Sequence, residues 1–520
     1  MVTRPQNNGC HLKVKENKSA EKIKFLQKKV IVIGAGFSGL SAACFMAKQG
    51  WQVTVLEKHT LPGGRARKFE TDGFSFDMGP SWYWMPDVFE RFFNQFGKKV
   101  SDYYELERLD PSYRVYWKDG FTDIPAGYDH LKALFESEEP GSGKQLDAYL
   151  ADAEYKYTKG MNKLVYYPGV SLTEYLDADL LKGLLRLNLL GNMKKHVGRY
   201  FKNRRLQQIM EFPVLFLGAM AKDTPALYSL MNYADIRLGT WFPKGGMYKI
   251  AEGMHQLAVE LGVQFEFSTT VTAIETENRA VKNIVTNNGV FMADDVIAAA
   301  DYHHTETALL PEKDRNYSER YWDKRLMAPS SLLFYIGLNK KIPGIRHHSL
   351  FFDADFEQHA ADIYQNSAWP ENPLFYLGTV TATDETLAPP GCENMFFLVP
   401  VAAGIKGDDE AQREKYLNLL LNRFEQCTGE SIRNNIVYKR SFGVTDFEGV
   451  YNAYRGNAYG LANTLRQTGY LKPRCVNKKV RNLYYTGQLT VPGPGVPPSL
   501  ISGEIVAKLV QQRSEKQNKQ

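Results

Sequence analysis

A short apolar run that breaks at a glycine turn and resumes as a helix constrains this chain more than any other feature. The stretch "KKVIVIGAGFSGLSAACFMAKQGWQVTVLEKH" spans residues 28–59. Val30 to Ile33 have the continuous apolar character of a strand covered on both faces. Gly34-x-Gly36-x-x-Gly39 follows, and Leu40, Ala43, Cys44 and Ala47 then recur at helical spacing. Val53 to Leu56 make a second strand that ends at Glu57. Strand, turn, helix, strand and acid in this order predict a βαβ dinucleotide site. Gly34 permits the tight turn, Gly36 lets the backbone approach a pyrophosphate, and Gly39 lets the helix pack close to the strand. Phe37 and Ser38 open the helix, whose free amides and partial positive charge suit phosphate. Glu57, followed by Lys58, comes about twenty residues on, where an acid accepts hydrogen bonds from a ribose.

A second turn narrows the choice of dinucleotide. In "LPGGRARKFETDGFSFDMGPSWY" (61–83), Gly63, Gly64 and Arg65 combine backbone freedom with a cation able to meet the same pyrophosphate or a ribityl chain. Nicotinamide enzymes rarely need such a segment, whereas large FAD-binding enzymes commonly do. FAD is the expected cofactor.

The rest of the composition excludes several classes. At 520 residues, with 43% hydrophobic and 23% charged, the chain is globular and long enough for two or three domains. A net charge of +6, with basic and acidic residues largely interleaved, gives no indication of nucleic-acid binding. Cys10, Cys44, Cys392, Cys427 and Cys475 are far apart and form no CxxC pair, as expected in a reducing compartment without structural zinc. Residues 1–27 are polar and Lys-rich, which reads as an arm rather than a signal peptide. No run approaches the ~18 apolar residues of a membrane span. A cytoplasmic protein, at most peripheral to a membrane, is expected.

Towards the C-terminus, "YYTGQLTVPGPGVPPSLISGEIVAKLV" (484–510) alternates glycine and proline before an apolar periodic run. With the GAGFSG turn, "TPALYSLMNYADIRLGTWFPKGGMYKIAEGM" (224–254) and "FEGVYNAYRGNAYGLANTL" (447–465), it resembles the bacterial-type phytoene desaturases. These are FAD-dependent carotenoid desaturases of the flavoprotein superfamily that also holds amine oxidases. The resemblance covers nearly everything after residue 28. It implies an α/β fold: a Rossmann-like FAD-binding domain with a mixed α+β substrate domain. It also implies that the last segment passes the flavin ring, with Gly487, Gly495 and Val496 close to the isoalloxazine. The helix expected near Ser499 would then aim its positive end at the ring. By the same resemblance the backbone around Val271 is the adenine contact. Related chains often carry T-H-P-G in the loop; here it is Thr490-Val491-Pro492-Gly493, and Pro498 replaces a common glycine. A histidine there is therefore unavailable for proton chemistry.

The expected organisation is discontinuous. Residues 28–110, 239–319 and 471–520 form the FAD-binding domain, and 111–238 with 320–470 form the substrate domain. "VQFEFSTTVTAI", "DDVIAAAD", "SSLLFYIGL" and "NMFFLVPVA" read as strands. Within 181–220, Lys182, Arg186, Lys194, Lys195, Arg199, Lys202, Arg204 and Arg205 occur among leucines and aromatics, with Glu211 the first acid after them. This composition fits docking on an anionic membrane surface, from which a carotene substrate would be delivered.

The resemblance implies stepwise conversion of phytoene to lycopene, with oxygen or a quinone as the final electron acceptor. Alternatives are desaturation of a hydroxylated or later carotenoid (3,4-desaturase type), redox-neutral carotene isomerisation, and carotenoid binding without turnover. An amine oxidase is a further rival; covalent flavin through Cys475 is not expected, because Cys475 precedes the loop. No metal cluster or Ser-His-Asp order stands out, and no catalytic acid or base can be named from spacing. His303–His304 and His347–His348 are expected in surface loops rather than as metal ligands. The aromatic content, 13% with 30 Tyr and 29 Phe, suits either a hydrophobic tunnel or a large core.

Overall fold

A computed structural model describes Met1 and residues 27–171, 174, 191–218, 220–464 and 466–518. The arm apart from its ends, and Lys182 and Arg186 of the basic segment, lie outside the described residues.

The first strand, Lys29–Ile33, sits at the centre of a five-stranded parallel sheet. Gln52–Leu56 and Gln264–Glu266 lie on one side of it, Asp295–Ala298 and Leu483–Tyr485 on the other. Pieces far apart in sequence therefore meet in one layer. Val30 to Ile33 are all buried, which explains the absence of polar alternation. The stretch "VQFEFSTTVTAI" divides between two sheets. Its start joins the parallel sheet, while Val271–Glu277 opens a three-stranded antiparallel sheet with Ala280–Thr286 and Gly289–Phe291.

The helix Phe37–Lys48 is buried along almost its whole first three turns because the C-terminal helix, Val496–Asn518, crosses it. The crossing is close: a β-carbon on Gly503 would lie 2.4 Å from the Ser38 carbonyl oxygen. Ser41 Oγ donates to the Leu500 carbonyl at 2.6 Å beside it. This helix begins at Val496, three residues before the expected start near Ser499. Proline has no amide to lose in a helical first turn, so Pro497 and Pro498 fit inside it.

A seven-stranded sheet forms the second half, in the order Ile436–Phe442, Ser330–Leu338, Glu393–Val401, Phe375–Thr379, His348–Phe351, Tyr113–Trp117 and Gly120–Ile124. Every residue of Ser330–Leu338 is buried, yet its two faces serve different neighbours. Leu332, Phe334 and Ile336 pack with Phe397, Leu420 and Phe424 under the helix Glu410–Thr428. Leu333 and Tyr335 point to the opposite face, with Tyr376 and Phe396. That second face becomes a wall of the site. The helices Tyr128–Glu138, Ser142–Asn162, Met193–Tyr200 and Arg204–Glu211 lie between the strand pair 113–124 and the return to the first half. No described helix is long and apolar enough to cross a membrane.

Candidate active site: a dinucleotide cradle opening onto an aromatic wall

The two glycine turns come together. Gly34 adopts φ +104° and its amide donates to the Leu56 carbonyl at 2.8 Å, closing the first turn onto the second strand. The Gly63 amide donates to the Ala35 carbonyl at 2.8 Å, which ties the second turn to the first. Gly64 (φ +57°) is so near that a β-carbon there would sit 3.2 Å from the Gly36 α-carbon. Gly39 lies behind this contact: its β-carbon would meet the Gly34 carbonyl oxygen at 2.0 Å. Gly36 has open space where a side chain would begin.

These turns line a cavity of ≈ 410 Å³. Of the thirteen residues expected from sequence, Gly34, Gly36, Phe37, Ser38, Glu57, Lys58, Gly64, Arg65, Val271, Gly487, Gly495 and Val496 face it, and only Gly39 does not. Glu57 is buried with its carboxylate pinned: Oε2 accepts from the Ala35 amide at 2.7 Å and Oε1 from the His59 amide at 2.9 Å. Thr269, Thr270 and Val271, at the switch between the two sheets, line the same cavity.

Where the turns meet, the cradle sets two cations beside two carboxyls, Glu57 and Asp301. Lys58 and Arg65 both line it, and burial pulls the pKa of each below its ordinary range. Glu57 acts in the opposite direction on Lys58, as Asp301 does on Arg65. With its amide oxygen turned toward Arg65, Gln488 accepts from the two terminal guanidinium nitrogens at 3.1 and 3.2 Å. Among the described residues Arg65 Nε keeps no partner, and neither do His59 Nε2 and Asp301 Oδ2, although all three atoms are buried and their residues line the cavity. Burial, reinforced by Arg67 and Lys58, holds His59 down to about 4.

The final loop completes the cradle. Gly487 (φ +115°) and Gly495 (φ +110°) take backbone angles that other residues rarely adopt. Val496 to Ser499 bring the N-terminus of the C-terminal helix into the lining. Ser502, not singled out from sequence, fixes the loop: its Oγ accepts from the Gly487 amide at 3.0 Å and from Thr486 Oγ1 at 2.9 Å. Nothing in the apolar run around it marks that serine as special.

The match of residues 37–511 to the profile described as flavin containing amine oxidoreductase decides the family. The chain belongs to it. A carotenoid 3,4-desaturase from Haloarcula japonica is 43% identical over 481 residues, covering 92% of this chain and 97% of the relative. A zeta-carotene-forming phytoene desaturase from Myxococcus xanthus is 33% identical, covering 92% and 93%. The protein is thus an FAD-dependent oxidoreductase of the carotenoid desaturase group. Solved structures share the fold at low identity. An oxidoreductase from Methanosarcina mazei matches with TM-score 0.59 and 15% identity over 92% of this chain and all (100%) of that one. A putrescine oxidase bound to putrescine matches with TM-score 0.59 and 13% identity over 94% and 100%.

The residues of the cradle fit FAD on structural grounds. The cradle combines two helix N-termini, two cations, a pinned carboxylate and buried polar atoms awaiting partners. The same cavity continues along an apolar wall of Trp82, Trp84, Met85, Met231, Leu333, Leu398, Phe447, Tyr451 and Tyr459. Phe447, Tyr451, Ala458 and Tyr459 come from the 447–465 motif, whose lining role the spacing alone does not reveal.

The histidine pairs differ from expectation. His348 opens the strand His348–Phe351 and His347 precedes it; both are buried rather than in a surface loop. Each satisfies one ring nitrogen, through Thr383 Oγ1 at 2.7 Å and Tyr376 Oη at 2.8 Å. His303 and His304 occupy the short helix Tyr302–His304 and are half-buried, not looped out. No group of metal-ligating side chains occurs among the described residues. The four described cysteines are unpaired, and Cys475 is buried away from the cavity lining.

Proposed function

We propose that this chain desaturates a carotenoid, holding FAD between the glycine turns and the final loop. The carrying observation is the continuity of the cradle with the aromatic wall: one cavity joins Gly36, Arg65 and Gly495 to Trp82, Leu398 and Tyr459. In this reading Gly34, Gly36, Phe37, Ser38 and Gly64 approach the pyrophosphate, with Lys58 and Arg65 neutralising it. Glu57 accepts from the adenosine ribose and Val271 meets the adenine. Gly487, Gly495 and Val496 pass the isoalloxazine, while Gly39 acts only through packing. The half built on the parallel sheet is the cofactor domain, and the seven-stranded sheet with its helices is the substrate domain.

When bound, FAD supplies the hydride acceptor. The chain's part is placement and exclusion of water: an apolar wall holds a polyene in one register and leaves the reacting carbons beside the cradle. The positive end of the C-terminal helix favours negative charge on the ring.

Two substrates remain in view. Phytoene, converted stepwise to lycopene, is one. A more conjugated or hydroxylated carotenoid desaturated at the 3,4 position is the other, favoured by the 43% identity to the Haloarcula japonica enzyme. Supplying each in liposomes to the FAD-loaded protein separates them. Lycopene formed from phytoene supports the first; phytoene unchanged with a longer chromophore from the second substrate supports the second. Turnover of neither overturns the proposal.

The exposed basic residues Lys195, Arg199 and Lys202 support docking at the cytoplasmic face of a membrane, with oxygen or a quinone removing the electrons. Internal pairing weakens the rest of the basic segment, because Lys194 and Arg204 bond Glu357 and Arg205 bonds Asp119.

A further inference from the structure

The apolar wall carries a polar chain that cofactor binding does not use. Leu333, Leu398 and Tyr376 lie in register on three neighbouring strands, on the sheet face that lines the cavity. Tyr376 Oη sits 2.8 Å from Nδ1 of His348, one strand further across. Ser81, also in the lining, is a second hydrogen-bond neighbour of that hydroxyl. The His348 ring is wholly buried and stacked on Trp82, 4.0 Å between centroids at 9°. Its Nε2 meets no partner among the described residues. Burial, with His347 adding to it, keeps the ring's pKa well below its ordinary range, so the imidazole is neutral and able to accept.

We propose that Tyr376 receives the proton released in desaturation, while His348 takes Tyr376's own proton at Nδ1. The assignment rests on the desaturase reading above. Two hydrogens leave adjacent carbons. One departs with its bonding electrons as hydride, oxidised flavin being the oxidant, and leaves an electron-poor carbon conjugated with the polyene. The neighbouring C–H bond gives its electron pair to the new double bond and its proton to Tyr376 Oη. The phenolic proton moves to His348 Nδ1 in the same step, so tyrosine ends neutral and histidine ends as imidazolium. A C–H beside an allylic cation is strongly acidic, so a weak base that is always unprotonated suffices. Val491, where related chains often carry histidine, lies in the core outside the cavity lining. The acceptor comes instead from the opposite sheet. Tyr376 is the catalytic residue in this scheme; His348 is a positioning residue acting through it.

The test compares wild type, Tyr376→Phe and His348→Phe, each FAD-loaded and given carotenoid deuterated at one or other reacting carbon. Both replacements keep an aromatic ring in place. Single-turnover rates should fall by roughly 10²-fold or more in Tyr376→Phe and about tenfold or more in His348→Phe, the scale of lost acid–base help. Carotenoid binding should hold, and the isotope effect at the proton-losing carbon should rise above wild type in both. An unchanged isotope effect there, or a Tyr376→Phe rate within about threefold of wild type, overturns the proposal. Independently of turnover, ¹⁵N NMR of histidine-labelled wild type should show His348 Nδ1 unprotonated and shifted by Tyr376→Phe; a protonated Nδ1 overturns it. A wild type inert toward every carotenoid defeats the desaturase reading itself, and this assignment with it.

Discussion

The Glu57 carboxylate binds the glycine turn it is meant to serve: Oε2 accepts from the Ala35 amide at 2.7 Å. The acid at the end of the second strand thereby fixes the backbone between Gly34 and Gly36, and in the proposed function it also accepts from the ribose. Glu57→Ala is expected to lower FAD affinity by at least tenfold, about 1.4 kcal/mol. Orphaning the buried Ala35 amide, and the part-buried His59 amide with it, should also cost the apo-protein about 1–3 kcal/mol. Glu57→Gln, which keeps one carbonyl acceptor, should lose affinity with less loss of stability. Flavin fluorescence titration and thermal unfolding of the apo-form measure the two effects separately.

Gly503 sets how closely the C-terminal helix lies on the first. A β-carbon there would meet Ser41 Cβ at 2.6 Å as well as the Ser38 carbonyl. Gly503→Val is expected to destabilise the fold by about 1–3 kcal/mol. Because the same helix brings Val496 and Gly495 to the cavity, FAD release on mild heating should also accelerate. Gly262→Ala makes a useful control, since a β-carbon there meets nothing within 4 Å, although its φ of +85° adds local strain.

These two cases show what was legible. The glycine turn, Arg65 and Glu57 could be read because their spacing dictates a local backbone shape that only certain residues allow. The wall could not. Ser330–Leu338 reads as uniformly apolar, and only the packing of the helix Glu410–Thr428 decides which face is left for the cavity. His347 and His348 read as loop residues because adjacent side chains diverge in regular structure; hydrogen bonds with distant Thr383 and Tyr376 make their burial tolerable. The C-terminal helix starts earlier than its prolines suggested, for those prolines occupy a first turn whose amides have no helical partner.

Carboxyls whose pKa is raised by burial should make stability fall as pH rises. Asp235, which accepts from Tyr113 Oη and Thr240 Oγ1, is pushed up to about 7 by burial. Its unfolded value is near 4. Between those values the folded form holds a proton that the unfolded form has lost, so stability declines through that window, by at most about 1.4 kcal/mol per pH unit for one such group. Glu306 and Asp295, each also raised to about 7, act in the same direction. Asp235→Asn should flatten the decline in Tm between pH 5 and pH 7, as followed by calorimetry.

Charge on the helix Met193–Tyr200 tests membrane docking. Lys195 and Arg199 are exposed and form no ion pair among the described residues. Lys195→Glu/Arg199→Glu should weaken binding to vesicles containing anionic lipid by tenfold or more, given about 1 kcal/mol per basic residue near such a surface. Binding to neutral vesicles should change little. Co-sedimentation at two salt concentrations measures it, and equal loss on both lipids would point instead to misfolding.

The most direct test of the central claim is anaerobic mixing of the FAD-loaded protein with carotenoid in liposomes, recording flavin absorbance and product mass together. Flavin is expected to bleach as one carotenoid loses two hydrogens per flavin reduced and its chromophore lengthens. Flavin that stays bound and oxidised while phytoene and the more conjugated carotenoids remain unchanged would contradict it.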